Sequence, residues 1–107
     1  MPTPIKPGEV YRADLGLAAK VRPVLIVSRE DANRPRDLVL AVPLTTENRG
    51  SQYEVTMPRV RFLREISTAN IQGLQALRPA EIQGPIGRFE QPAMSAVKAA
   101  LRWALDL

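Results

Sequence analysis

No cysteine and no histidine occur in the 107 residues of this chain. Without cysteine there is no disulfide framework and no thiolate to hold a metal. Without histidine, imidazole-based triads, ribonuclease chemistry that uses two histidines and every zinc site that needs an imidazole are excluded. Any catalysis must therefore rest on Arg, Lys, Asp, Glu, Ser, Thr or Tyr. Aromatic residues are sparse as well: one Trp, two Tyr and two Phe. Tyr11, Tyr53, Phe62, Phe89 and Trp103 are too scattered for a base-stacking platform, which assigns most of them to the core. Trp103 lies off the apolar stripe of its segment and suits a dimer contact. No run of about 18 apolar residues exists, and the opening Met-Pro-Thr-Pro-Ile-Lys-Pro-Gly has no apolar stretch of the kind a signal peptide needs. The expectation is a soluble, cytoplasmic protein with no membrane partner.

The length suits one domain, residues 1–107, and a domain of this size buries roughly 60 to 70 percent of its unfolded surface without metals or disulfides. Fifteen Lys and Arg against eleven Asp and Glu leave a formal charge of +4, which favours phosphates or acidic partners but on its own is a weak indication.

Prolines at positions 2, 4 and 7 make residues 1–8 an extended, loosely tied tail. From Val10 to Leu15, Tyr11, Ala13 and Leu15 alternate with Arg12 and Asp14, the period of a half-buried strand. Val21 to Ser28 forms a second strand whose apolar run 24–27 is covered on both faces, with Pro23 at its start or on an edge. The polar segment Arg29 to Asp37 is a loop, and Leu38 to Leu44 a third strand with Thr45 and Thr46 at its end. Gln52 to Met57 alternates again. Arg59 to Arg64 is ambiguous between loop and strand, while Ile66 to Leu77 supplies one or two short strands. Pro79 to Ile82 suits a single helical turn, and Gly84 to Phe89 a last strand. The C-terminal segment is a helix with Pro92 at its first position and Met94, Val97, Leu101, Ala104 and Leu105 down one face. Many short strands followed by one helix imply an α+β or small-barrel architecture.

Two segments go beyond generic strands: Arg22-Pro23-Val24-Leu25-Ile26-Val27-Ser28 and Val42-Pro43-Leu44-Thr45-Thr46. With Gly8-Glu9-Val10-Tyr11 before them and the closing helix, in this order and spacing, the chain from Gly8 onward resembles the MazF/PemK family of toxin-antitoxin ribonucleases. The resemblance implies an SH3-like small β-barrel of antiparallel strands with a C-terminal α-helix, a homodimer and a cognate antitoxin. It also implies metal-independent, cofactor-free cleavage of single-stranded RNA that leaves a cyclic phosphate. The family's catalytic positions, the Arg before Pro in the second strand and the first Thr after the Pro-x pair, fall on Arg22 and Thr45.

Those residue types fit the chemistry. RNA supplies its own nucleophile, the 2′-hydroxyl, so the site has to align the attack and stabilise charge on the phosphorane oxygens. The arginine fork reaches two phosphate oxygens and stays charged, which also makes it a poor general base. A threonine hydroxyl donates a further hydrogen bond without adding negative charge. The competing readings are an Arg22 paired with Asp14 or Glu54, and a Thr45 satisfying a local backbone group. Lys20 and Arg49, in the loops beside the two motifs, with Thr46 and Gln72, complete the RNA-binding candidates. Arg59, Arg61 and Arg64 form a basic cluster suited to RNA, to an acidic antitoxin segment or to plain solvent exposure.

The chain departs from the family pattern at two places. Leu17-Ala18-Ala19-Lys20 holds no carboxylate where many members carry an acidic or polar residue, leaving Glu9, Asp14 and Glu47 as the nearby acids. Ala69 to Leu74 carries Gln72-Gly73 instead of the usual acidic-Gln pairing. The resemblance makes an endoribonuclease toxin the leading expectation, and the missing loop carboxylate is what supports the next one. A catalytically weak RNA- or antitoxin-binding protein of the same fold is the second, and a gyrase-targeting toxin of related fold the third.

Overall fold

The computed structural model describes residues 4–14 and 21–107. Strands β1 (Glu9–Asp14), β2 (Val21–Ile26), β3 (Val39–Thr45), β4 (Glu54–Thr56), β5 (Thr68–Asn70), β6 (Gln75–Leu77) and β7 (Ile82–Arg88) precede helix α1 (Ala93–Ala104). Two 3-10 turns, Ile71–Gly73 and Pro79–Glu81, flank β6. All strand pairs among the described residues are antiparallel, in the order β4-β5-β3-β2-β1-β7, with β6 also on β3. The end strands β4 and β7 do not pair within these residues, so the hydrogen-bonded sheet is not closed into a barrel.

The central strands are buried on both faces. Val24, Leu25 and Ile26 are all fully buried, and side-chain alternation sends them to two different cores. Leu25 joins Val10, Val42, Phe89, Met94 and Val97 under the helix, whereas Val24 and Ile26 join Tyr11, Ala13, Ala41 and Ile82 on the other face. Burying a side chain such as Leu25 contributes about 1.5 to 3 kcal/mol. Pro23 is third in β2, opposite Arg12, one residue before pairing with β3 begins at Val24 opposite Pro43. Its missing N–H thus falls where one side of the strand is unpaired.

Four expectations are corrected. Residues 4–8 are tied down rather than loose: Ile5 is buried, Gly8 N–H donates to the Ile26 carbonyl at 2.9 Å and its own carbonyl accepts Phe89 N–H at 2.8 Å. Gly8 has φ +96 and leaves no room for a Cβ, which would stand 2.6 Å from the Phe89 carbonyl oxygen. The fourth strand spans only Glu54–Thr56, because the Glu54 side chain accepts the Arg49 and Ser51 N–H groups and turns the chain before it. Leu105 follows the last helical residue and is 53% exposed, so the buried face of α1 is carried by Met94 and Val97. Pro92 precedes the helix as its cap residue, and the Gln91 side chain accepts Ser95 N–H at 2.8 Å. Arg59–Arg64 is a loop, and no helix of the described residues is long and apolar enough to cross a membrane.

Candidate functional site

Arg22 and Thr45 come from neighbouring strand ends. The β2–β3 register pairs Val24 with Pro43, and continuing it by two residues sets Arg22 opposite Thr45 on one face. Arg22 is exposed and Thr45 half-buried. Among the described residues no ion pair involves Arg22, so pairing with Asp14 or Glu54 does not account for it. Glu54 is engaged elsewhere, accepting Arg49 N–H at 2.8 Å and the Ser51 N–H and hydroxyl at 3.0 and 2.8 Å, bonds that lower its pKa. The local-backbone reading of Thr45 does hold, since its Oγ1 accepts Glu47 N–H at 3.1 Å. That bond uses an acceptor lone pair and leaves the hydroxyl proton to donate.

The two residues line two clefts, each of about 530 Å³. One is basic and apolar, with Arg12, Arg64, Phe62, Leu63 and Ile86 around Arg22, Thr45 and Thr46. The other carries more polar side chains, with Glu47, Arg49, Tyr53, Asn70 and Gln72 beyond the same pair. Thr46 therefore belongs to the first cleft, and Arg49 and Gln72 to the second. Lys20 and the Leu17–Lys20 connection lie outside the described residues. Of the basic cluster, Arg64 lines a cleft. Arg49 pairs with Glu47 at 2.8 Å, a contact that raises its pKa further.

Four lining residues escaped the sequence reading. Arg12 arrives from β1, across from Pro23. Glu65 and Ser67 arrive from the chain leading into β5, and Asn70 from its end. Arg12 had a signal in the β1 alternation, which turns it outward, and Asn70 lay in the segment 69–74 that departs from the family pattern; Glu65 and Ser67 had none. Glu47 was counted only as near in sequence, and it does reach the second cleft. Glu9 is spent on the Tyr11 hydroxyl and Lys6 N–H. No three acidic side chains gather into a possible metal site among the described residues. An arginine and a hydroxyl side by side, with further cations on one flank, can grip a tetrahedral oxyanion.

An antiparallel sheet backed by one C-terminal helix, with twin clefts at the ends of its central strands, defines a small α+β protein. Residues 6–105 match the family described as the PemK-like, MazF-like toxin of type II toxin-antitoxin systems, and the chain belongs to that family. Endoribonuclease MazF4 of Mycobacterium tuberculosis is 36% identical over 100 residues, covering 94% of this chain and 91% of the relative. Endoribonuclease MazF1 of Mycobacterium bovis is similar to the same degree. Among solved structures, a mycobacterial endoribonuclease in complex with its cognate antitoxin superposes with a TM-score of 0.84 at 33% identity, covering 96% of each chain. MazF of Deinococcus radiodurans superposes at 0.81 over 99% of this chain and 100% of its own, at 18% identity, a likeness of fold.

Proposed function

We propose that this protein is the toxin of a type II toxin-antitoxin pair, an endoribonuclease that cuts single-stranded RNA in the cytoplasm without a metal. The observation that carries the reading is the placement of Arg22 and Thr45 on adjoining strand ends at the junction of two clefts. With an RNA phosphate at that junction, the 2′-oxygen attacks phosphorus, the bond to the 5′-oxygen breaks, and a 2′,3′-cyclic phosphate remains. Arg22 stabilises the charge that grows on the phosphorane oxygens, and Thr45 donates a hydrogen bond to one of them. The 2′-hydroxyl must lose a proton and the departing 5′-oxygen must gain one. Glu65 lines the basic cleft beside the pair and makes no ion pair among the described residues, so it is the carboxylate available for those transfers, whereas Glu47 in the other cleft is held by Arg49. Glu65 would fill the role that the first loop lacks in sequence.

The names of the relatives support the enzymatic reading, and the mycobacterial complex supports a cognate antitoxin as partner. The reading includes a homodimer, a single domain over residues 1–107, and a sheet that curls as an SH3-like barrel. The curl is supported by β3, which shares one edge between β5 at its end and β6 at its start. The test is incubation of the purified protein with a long single-stranded RNA in EDTA, beside Arg22→Ala and Thr45→Ala. Specific fragments with cyclic phosphate ends, lost in both variants, are expected. Intact RNA that still binds would leave a binding protein, and gyrase-linked DNA breaks would select a different target.

A further inference from the structure

The two clefts share Arg22 and Thr45 yet differ in chemistry. In the polar cleft the charges other than Arg22 are already committed: Glu47 holds the Arg49 guanidinium, and Glu54 holds the Arg49 and Ser51 backbone. Beyond Arg22 and the Tyr53 hydroxyl, what remains uncommitted there are two amides. Asn70, at the entry to the Ile71–Gly73 turn, makes no cap bond, and neither its side chain nor that of Gln72 has a hydrogen-bond partner among the described residues. An amide offers adjacent donor and acceptor atoms, the pattern that pairs with a base edge and discriminates one base from another.

The basic cleft is the opposite case. Arg12, Arg22 and Arg64 outnumber Glu65 along its wall, and the remaining surface is largely apolar. Ser67, 5% exposed, also lines it, and its buried hydroxyl has no partner among the described residues. A buried hydroxyl without a partner is costly, and an entering anionic oxygen supplies one. Cations and a lone donor recognise phosphate, which carries no sequence information.

We infer that the clefts divide the work on RNA: Asn70 and Gln72 read the base on one side of the cut phosphate, while Arg12, Arg64 and Ser67 hold the backbone on the other side whatever its sequence. The inference rests on the reading of Arg22 and Thr45 as the cutting point, and it adds which residues set the cleavage sequence.

Two measurements on the intact protein separate the roles. Cut sites in a randomised RNA are sequenced, and binding is measured to 2′-O-methyl oligonucleotides of varied sequence, which cannot undergo 2′-attack. Gln72→Ala and Asn70→Ala are expected to relax preference at one nucleotide position, by about tenfold, with other positions unchanged. Gln72 is exposed, so its variant folds even if Asn70→Ala does not. Arg64→Ala is expected to weaken every sequence alike and to lower the log-log salt slope by about 0.7. Ser67→Ala should keep or improve melting stability while losing on the order of tenfold in affinity. An unchanged preference in both amide variants, or a changed preference in Arg64→Ala, would overturn the division, as would unaltered binding in Ser67→Ala. If the wild type cuts no RNA, the enzymatic reading fails while the oligonucleotide profile still decides the roles of the clefts. A wild type that neither cuts RNA nor binds an oligonucleotide overturns both.

Discussion

The Thr45 hydroxyl accepts the backbone N–H of Glu47 at 3.1 Å, so the side-chain oxygen of a residue that lines both clefts anchors the loop after β3. Its geometry is fixed before any substrate arrives, which is what a charge-stabilising donor requires. Thr45→Ser keeps the oxygen and is expected to retain most of kcat. Thr45→Val keeps the shape but removes donor and acceptor together, and kcat should fall by about 10²-fold, the scale of losing one such donor. The lost bond to Glu47 costs about 1 kcal/mol of stability at this part-exposed site. A melting comparison of the two variants therefore separates the small structural loss from the larger catalytic one, and equal activity in Thr45→Val would remove the donor role.

Gly87 packs directly on Phe62. A Cβ at residue 87 would stand 2.1 Å from the ring, so any side chain there must push the ring away. Phe62 meets Phe89 edge-on with centroids 5.6 Å apart, and Phe89 belongs to the core beneath α1. Gly87→Ala is expected to destabilise by about 1 to 3 kcal/mol, the usual cost of overpacking, read as a lower denaturant midpoint at unchanged slope. Because Phe62 also walls the basic cleft, the variant should bind RNA more weakly even under conditions where it is fully folded. An unshifted midpoint would mean that the ring has room to swing aside.

The central strands were legible because their signal is local. Tyr11 and Ala13 alternate with Arg12 and Asp14, and the run Val24 to Ile26 has no polar face, so period and composition alone place them. The C-terminal helix was legible for the same reason up to Ala104; Leu105 kept the spacing but not the helix. Less could be read where geometry is made by distant partners. Ile5 and Gly8 looked like a loose tail because three prolines dominate the segment, and the partners that hold it from afar are the carbonyl of Ile26, the amide of Phe89 and the core around Ile5. In the site, Arg22 and Thr45 came from a family pattern, since their adjacency depends on the β2–β3 register. Arg12, Ser67 and Asn70 join them from strands far apart in sequence, and no spacing rule connects those positions. Of the carboxylates near the pair, Glu47 was legible as near in sequence, whereas Glu65 lines the basic cleft from a segment that no spacing connects to the first loop.

Tyr11 gives the protein an alkaline limit. Its ring is 4% exposed and its hydroxyl donates to Glu9 Oε1 at 3.0 Å. Burial first, then the hydrogen bond to Glu9 and the charge of that carboxylate, push its pKa from 10.0 up to about 12. The folded protein thus holds a proton that the unfolded chain releases near pH 10. A raised pKa of this kind stabilises fully below about pH 10, and the contribution declines as pH rises until it is gone above about pH 12. Two pH units correspond to on the order of 2 to 3 kcal/mol. Tyr11→Phe removes the titration and the hydrogen bond, leaving Glu9 bonded to Lys6 N–H. At neutral pH the variant should be less stable by about 1 kcal/mol. Between pH 10 and pH 12 the wild type should lose stability faster than Tyr11→Phe, so that the two unfolding curves converge and then cross. Other groups titrate in the same range, but they are common to both proteins and cancel in the difference. A constant gap between wild type and variant from pH 8 to pH 12 would show that the phenol ionises equally easily in the folded and unfolded chain.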